Sequence, residues 1–300
     1  MTISPSSSWW RLEIDPSGDL EESLIWRLET LGISRVAIQF KPDQPSHRTL
    51  LAWLPAADWP ASERQSLEQA LSALAEPFGL ELPQLSWQQQ PEEDWSHSWK
   101  QHWAPDPVGE KLLILPAWLQ CPEEFRNREV LLLDPGSAFG TGSHPTTRLC
   151  MESLERIPLA GALVADLGCG SGILGIAALA LGAAAVVASD TDSLAILASA
   201  SNAALNGMEQ RLQARLGSAQ ELKELLGQRS AQVLLCNILA PVLAELAPWF
   251  DKLLAVNGVG LLSGLLVEQV EPLCDQLTSM GWQCRLAAEQ SRWALLEITR

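Results

Sequence analysis

The alternation of apolar and polar positions changes character near residue 110. Before it the elements are short and mixed. Trp9–Asp15 (WWRLEID) reads as a strand stopped by Pro16. Asp19–Leu31 has helical spacing, with Leu20, Leu24 and Leu28 on one face and Gly32 as its stop. Val36–Phe40 and Leu50–Leu54 are apolar runs on either side of a Pro/Asp/Ser loop, which predicts a hairpin. Ser62–Ala75 is helical, with Leu67, Leu71 and Leu74 on one side, and Leu82–Gln89 predicts a last strand. Beyond residue 110, strands and helices alternate. The strands are Leu112–Leu115, Val130–Leu133, Leu163–Asp166, Ala185–Asp190, Val233–Asn237 and Gly258–Ser263, then an antiparallel pair, Gln283–Glu289 and Trp293–Thr299. The helices are Thr146–Ile157, Gly172–Leu181, Ser193–Asn206, Ala240–Leu254 and Glu268–Met280.

The first set has the order βαββαβ, that of the ferredoxin-like α+β fold, which by itself says little about activity. The second set implies an α/β, doubly wound, mostly parallel sheet covered on both faces. Between them, PEEDWSHSWKQHWAPDP (91–107) is polar and Pro-bounded and carries Trp95, Trp99 and Trp103 at i, i+4, i+8. Two readings stay open for it: a short helix docking its Trp face on a domain, or a hinge that also touches substrate. The expected division is therefore 1–90, a connector 91–107, and 108–300.

Composition narrows the classes. Apolar residues at 47% and charged residues at 19% exclude a disordered chain. Acidic side chains outnumber basic ones 36 to 20, giving a net charge of −16. Such a surface repels phosphate, so direct nucleic-acid binding is not expected, and it suits a basic partner. With no Tyr in the chain, a Tyr general acid or base is excluded. The six cysteines form no C-x-x-C pair and only four His are present, so neither a zinc site nor a disulfide scaffold is expected. The N-terminus lacks a basic region followed by an apolar one, which points to the cytoplasm. Leu167–Ser189 is uncharged over the length of a membrane span, but five glycines and the flanking Asp166 and Asp190 fit strand, turn, helix and strand better.

That same segment carries the strongest chemistry. LVADLGCGSGILGIAALALGAAAVVASDTD (Leu163–Asp192) runs a strand into a Gly-rich turn and a helix. Gly168, Gly170 and Gly172 let a ligand approach the backbone, and Asp190 closes the next strand where its carboxylate can hold ribose hydroxyls. Gly170, Gly172 and Gly175 spell G-x-G-x-x-G, a weak match to the dinucleotide fingerprint. Asp166, just before the turn, suits a ligand with a sulfonium and an ammonium better than a pyrophosphate. The D-x-G-x-G-x-G form with an acid after the second strand resembles the class I S-adenosylmethionine-dependent methyltransferases.

Two further motifs flank it. LLLDPGSAFGTGSHPTTRLC (Leu131–Cys150) is a Gly/Pro loop with Phe139, which can cover a ligand, and the hydroxyls of Thr141, Ser143, Thr146 and Thr147. It reads as a substrate-side lid. His144 within it is either a general base or a loop-fixing hydrogen-bonder. VLLCNILAPVL (Val233–Leu243) sets Asn237 at the C-terminal end of the fourth strand of the parallel set. Asn237 can accept a hydrogen bond from a substrate N–H, or cap the following helix.

DPGSAFGTGSHPTT, DLGCGSGILGIAAL and CNILAPVLAELAP, in this order, are similar to the bacterial methyltransferases of ribosomal protein L11, densely from about residue 91 to 270 and more thinly at the ends. The resemblance implies a seven-stranded Rossmann-like methyltransferase sheet and an N-terminal domain that recognises a basic ribosomal protein. It puts Thr147, Gly168, Asp190 and Asn237 on cofactor-binding positions, and Phe139, Thr141 and Thr146 in a loop that closes over cofactor and substrate amine. Ser137, Ser143 and Gly175 depart from the residues common there. Asn237-Ile238-Leu239-Ala240 lacks the Pro-Pro-aromatic run of DNA adenine and glutamine methylating enzymes. The expected reaction is N-methylation of Lys side chains or the N-terminal amine of that ribosomal protein. Asn237 and Thr146 would orient the amine, with His144 the candidate proton acceptor. Asp166, Gly170, Phe139 and Thr141 complete the expected cofactor set, without a metal. A monomer is expected, and another protein or a small molecule is the alternative substrate.

Overall fold

The computed structural model describes residues 8–16, 20–33, 35–41, 44–76, 80–81, 85–91, 104–133 and 142–300. The chain forms two compact units, Met1–Ala104 and Pro105–Arg300. The division falls inside the stretch read as a connector, most of which, 92–103, lies outside the described residues.

The first unit contains β1 (Ser8–Ile14), α1 (Glu21–Thr30), β2 (Val36–Lys41), β3 (Gln44–Pro55), α2 (Ala61–Ala75) and β4 (Ser86–Pro91). Its sheet has the order β2-β3-β1-β4 and every pairing is antiparallel, the ferredoxin-like arrangement. The Leu20/Leu24/Leu28 stripe and Leu67 and Leu71 are buried against Leu12, Ile14, Leu50 and Leu54. Residues one out of phase, Leu51 and Trp53, are buried with Ala37 on the other face of the sheet. The last strand starts four residues later than the sequence pattern suggests.

The second unit adds β5 (Asp106–Val108), β6 (Leu112–Pro116), β7 (Glu129–Leu133), α3 (Pro145–Leu154), β8 (Leu163–Leu167), α4 (Ile173–Ala180), β9 (Ala185–Asp190), α5 (Ser193–Leu205), β10 (Leu212–Leu216), α6 (Ala219–Leu226), β11 (Ala231–Asn237), α7 (Ala240–Leu246), α8 (Phe250–Leu253), β12 (Leu254–Leu266), α9 (Val270–Ser279), β13 (Gln283–Gln290) and β14 (Trp293–Thr299). Its seven-stranded sheet has the order β10-β9-β8-β11-β12-β14-β13. β14 alone is reversed in direction relative to the other six strands. All five residues of β8 are buried. The chain winds from β8 outward through β9 and β10, then returns to the other side as β11 and β12. The loops after β8 and β11 therefore diverge, which opens a crevice at the C-terminal strand ends.

Two expectations change. The strands at Leu112 and Val130 do not join the main sheet. With β5 they form a separate three-stranded sheet, and the Asn206 carboxamide occupies the main-chain N–H and C=O of Leu132, each at 2.8 Å. The helix expected over Ala240–Leu254 is broken into α7 and α8 by a 3-10 turn holding Pro248, which lacks the N–H a helix interior needs. Cys274 of α9 and Cys284 of β13 form a disulfide, where the sequence pointed only to the absence of a disulfide scaffold. It joins the last helix to an edge strand. Among the described residues no helix is long and apolar enough to cross a membrane, and no His/Cys/Asp/Glu cluster could hold a metal.

Candidate active site

The turn after β8 is fastened by backbone. The amides of Gly168 and Cys169 both donate to the Ser189 carbonyl on β9, at 2.8 and 3.1 Å, and Gly172 donates to the Cys169 carbonyl at 2.8 Å. Gly168 and Gly172 adopt φ of 79° and 80°, which side chains resist. Space forbids them too. A Cβ on Gly168 would run into the Ile238 side chain, and one on Gly172 would meet the Ser199 hydroxyl at 2.5 Å.

Asp190 holds the neighbouring loop in register. Its Oδ2 accepts from the Gly170 amide at 2.9 Å and its Oδ1 from the Asp192 amide at 3.0 Å. Asp192 in turn caps α5 by accepting from the Leu194 amide at 2.9 Å. Each carboxylate oxygen of Asp190 keeps a second lone pair for a hydroxyl donor.

Asn237 ends β11, and its Nδ2 donates to Thr147 Oγ1 at 3.3 Å. This removes the capping alternative, because the residue that caps α7 is Leu239. Thr146 and Thr147 are both buried in the first turn of α3. His144 caps that helix. Its Nδ1 accepts from the Thr146 amide at 3.3 Å and lies 2.7 Å from Thr146 Oγ1. Two donors on Nδ1 put the ring proton on Nε2. The Trp293 ring packs edge-on at 4.7 Å, and burial depresses the His144 pKa to about 4.

The loop-fixing task is thus the one this geometry gives His144, and it makes a poor base at neutral pH. His144→Ala is expected to cost about 1 kcal/mol of stability through the lost cap, with most of the activity retained by His144→Asn, which keeps an acceptor. Thermal melts and initial rates check this. A turnover collapse in a well-folded Asn variant would return the proton-acceptor role to His144.

Asp166 is 1% exposed, and neither carboxylate oxygen has a hydrogen-bond partner. Burial, with the Asp190 charge second, pushes its carboxyl up to about 7, while the Gly175 amide works the other way. Phe139 and Thr141 lie outside the described residues. The remaining expected site residues, Asp166, Gly168, Gly170, Asp190, Asn237, Thr146, Thr147 and His144, gather along the C-terminal ends of β8, β9 and β11 and the start of α3. Two residues not singled out from sequence belong beside them: Ile238, whose side chain covers Gly168, and Gly264, packed on the Ile238 backbone.

A family model described as Ribosomal protein L11 methyltransferase (PrmA) matches residues 8–300. The chain belongs to that family. It is 61% identical over 300 residues, all of both chains, to a ribosomal protein L11 methyltransferase of Synechococcus sp. strain RCC307. It is 59% identical over 283 residues, 94% of this chain and 98% of the other, to one of Parasynechococcus marenigrum strain WH8102. Among solved structures, a ribosomal protein L11 methylase from Lactobacillus delbrueckii subsp. bulgaricus is similar at 34% identity and a TM-score of 0.60, over 66% of this chain and 99% of that one. The protein is a methyltransferase of the PrmA family, and its four-stranded and seven-stranded sheets are the two expected of the class.

The residues present fit S-adenosylmethionine. A glycine turn without Cβ atoms, a carboxylate with spare lone pairs at the second strand end, and an unpaired buried carboxylate match a sugar and a cation.

Proposed function

We propose that the protein transfers methyl groups from S-adenosylmethionine to amino groups, Lys side chains or the N-terminal amine, of ribosomal protein L11. The observation that carries this reading is Asn237, held by Thr147 at the strand end beside the glycine turn. Gly168, Gly170 and Asp190 would hold the cofactor's backbone-facing side and ribose, with Asp166 near its positive charge. The cofactor supplies an electrophilic methyl group.

Everything else is positioning. With Nδ2 committed to Thr147, the Asn237 carbonyl oxygen is the acceptor for an amine N–H, which turns the nitrogen lone pair toward the reacting carbon. Thr147 keeps the carboxamide from rotating, and the His144–Thr146 cap keeps α3 at a fixed height beside it. A Lys amine must first be neutral, which costs about 4.6 kcal/mol at pH 7 from an ordinary pKa of about 10.4. An apolar setting lowers that pKa, and orientation supplies much of the remaining acceleration. The proton leaves to solvent, since His144 is too weak a base to keep it.

Met1–Ala104 serves as the recognition unit, and the −16 charge favours encounter with a basic ribosomal protein in the cytoplasm. The test is incubation with labelled S-adenosylmethionine and unmodified L11, followed by mass spectrometry of peptides. Methyl groups on L11 amines are expected. Label on non-amine atoms, or none on L11, would overturn the reading.

A further inference from the structure

Asp166 sits at the fourth residue of β8, with the glycine turn beginning two residues on. A Cβ on Gly175 of α4 would stand 3.4 Å from its Oδ2. The charge that acts on it is Asp190 at the end of β9, and its own charge reaches Cys150 of α3, Cys169 of the turn and Cys236 of β11. The thiols are buried, and burial together with the Asp166 charge raises their pKa values, so they stay neutral. The one charge in this set is another carboxylate. A carboxylate that is fully buried, with only the Gly175 backbone amide in its favour and a like charge facing it, is costly as an anion. It has two ways out: keep a proton, or gain a cation.

We propose that Asp166 carries a proton in the free enzyme and gives it up as the cationic cofactor docks on the Gly168–Gly172 turn, so that cofactor binding is coupled to proton release. The proposal rests on the reading of that turn as the S-adenosylmethionine site. The balance is simple: the O–H bond of Asp166 breaks, the proton goes to solvent, and the cofactor's positive charge takes its place. Removing the proton first costs free energy below the free-state pKa and nothing above it. Affinity therefore rises with pH up to about 7 and then levels. His144, at about 4, has already lost its proton across this range. The cofactor's own α-amino group titrates near 7.7–8.0, so the window closes at about 7.5.

The experiment is calorimetric titration of the full-length protein with S-adenosylmethionine at about pH 5.5, 6.5 and 7.5, in two buffers of different ionisation heat, for wild type and Asp166→Asn. Affinity of the wild type is expected to rise about 20-fold across the window, with a buffer-dependent heat showing release of up to one proton. Asp166→Asn is expected to bind more weakly at pH 7.5 and to lose the pH dependence. The buffer heats in wild type carry the test even where the variant folds poorly. Measurable binding that is flat with pH and buffer, or a slope that survives in Asp166→Asn, overturns proton coupling alone. No binding at any pH overturns the cofactor reading and the coupling with it.

Discussion

Asn237→Ala is expected to lower kcat by roughly 100- to 1,000-fold while the protein stays folded. That magnitude is typical of removing a single well-aimed hydrogen-bonding group or of misplacing a reactant by about 1 Å. The stability cost is smaller. The side chain is only half-buried, and its loss leaves the buried Thr147 hydroxyl without one partner, worth about 1 kcal/mol. The two effects separate cleanly in single-turnover rates beside thermal melts. Thr147→Val is the informative companion. It removes the brace and keeps the carbonyl, so its rate loss should be well below that of Asn237→Ala. Near-normal single-turnover rates in a folded Asn237→Ala protein would remove Asn237 from the chemistry.

Much of this site could be read from the chain because its parts are local. Asp166, three glycines and Asp190 lie within 25 residues, and strand, turn and strand are enough to bring them together. The stripes at Leu20/Leu24/Leu28 and Leu67/Leu71 were equally legible, since one apolar face buried on one sheet leaves a helical period. What escaped was set by distant packing. β10 has a single buried residue, Leu212, so it leaves no alternation to recognise. The helix α6 did leave a mark: Ser218 followed three residues later by Glu221, whose carboxylate accepts from the Ser218 amide at 2.8 Å. That spacing would have revealed the helix and, by implication, the strand before it. β6 and β7 lie with β5 in a separate sheet, where Leu132 is bonded by Asn206, 74 residues away. Trp293 beside His144 and Ile238 over Gly168 are likewise long-range contacts, invisible to any window along the chain.

The contacts of Ile238 explain why sheet geometry and chemistry are hard to separate here. Asn237 pairs with Ser263 across β11 and β12, and the Ile238 amide donates to the Ser263 carbonyl at 3.1 Å. Ser263 Oγ in turn donates to the Ala294 carbonyl on β14 at 2.8 Å, where the pairing of β12 with β14 slips between Leu262 and Leu265. The Asn237 carboxamide therefore sits beside an irregularity in the strand next door. Gly264 is the residue that makes this irregularity sterically possible.

Gly264→Ala should accordingly damage both stability and turnover. Gly264 has φ of 84°, and a Cβ there would collide with the Ile238 carbonyl oxygen and stand 2.7 and 2.8 Å from its carbonyl carbon and nitrogen. These are backbone atoms in the segment joining β11 to α7, so no side-chain rotation relieves the contact. At Gly168, by contrast, the obstacle is a side-chain methyl, Cγ2 of Ile238. Left-handed strain contributes about 1 kcal/mol and overpacking a further 1–3. For a unit of this size a loss of that order lowers the melting temperature by about 10 °C. The displaced Ile238 carries Asn237 with it, and a shift of about 1 Å is expected to cost about 100-fold in kcat. Gly161→Ala is the matched control. Its φ is 76° but nothing lies within 4 Å of the added Cβ, so it bears the strain without the collision and should keep full activity with a loss of about 1 kcal/mol. If the two variants melt together and turn over alike, Gly264 supports Ile238 no more than a surface turn would, and the aiming of Asn237 must come from α3 alone.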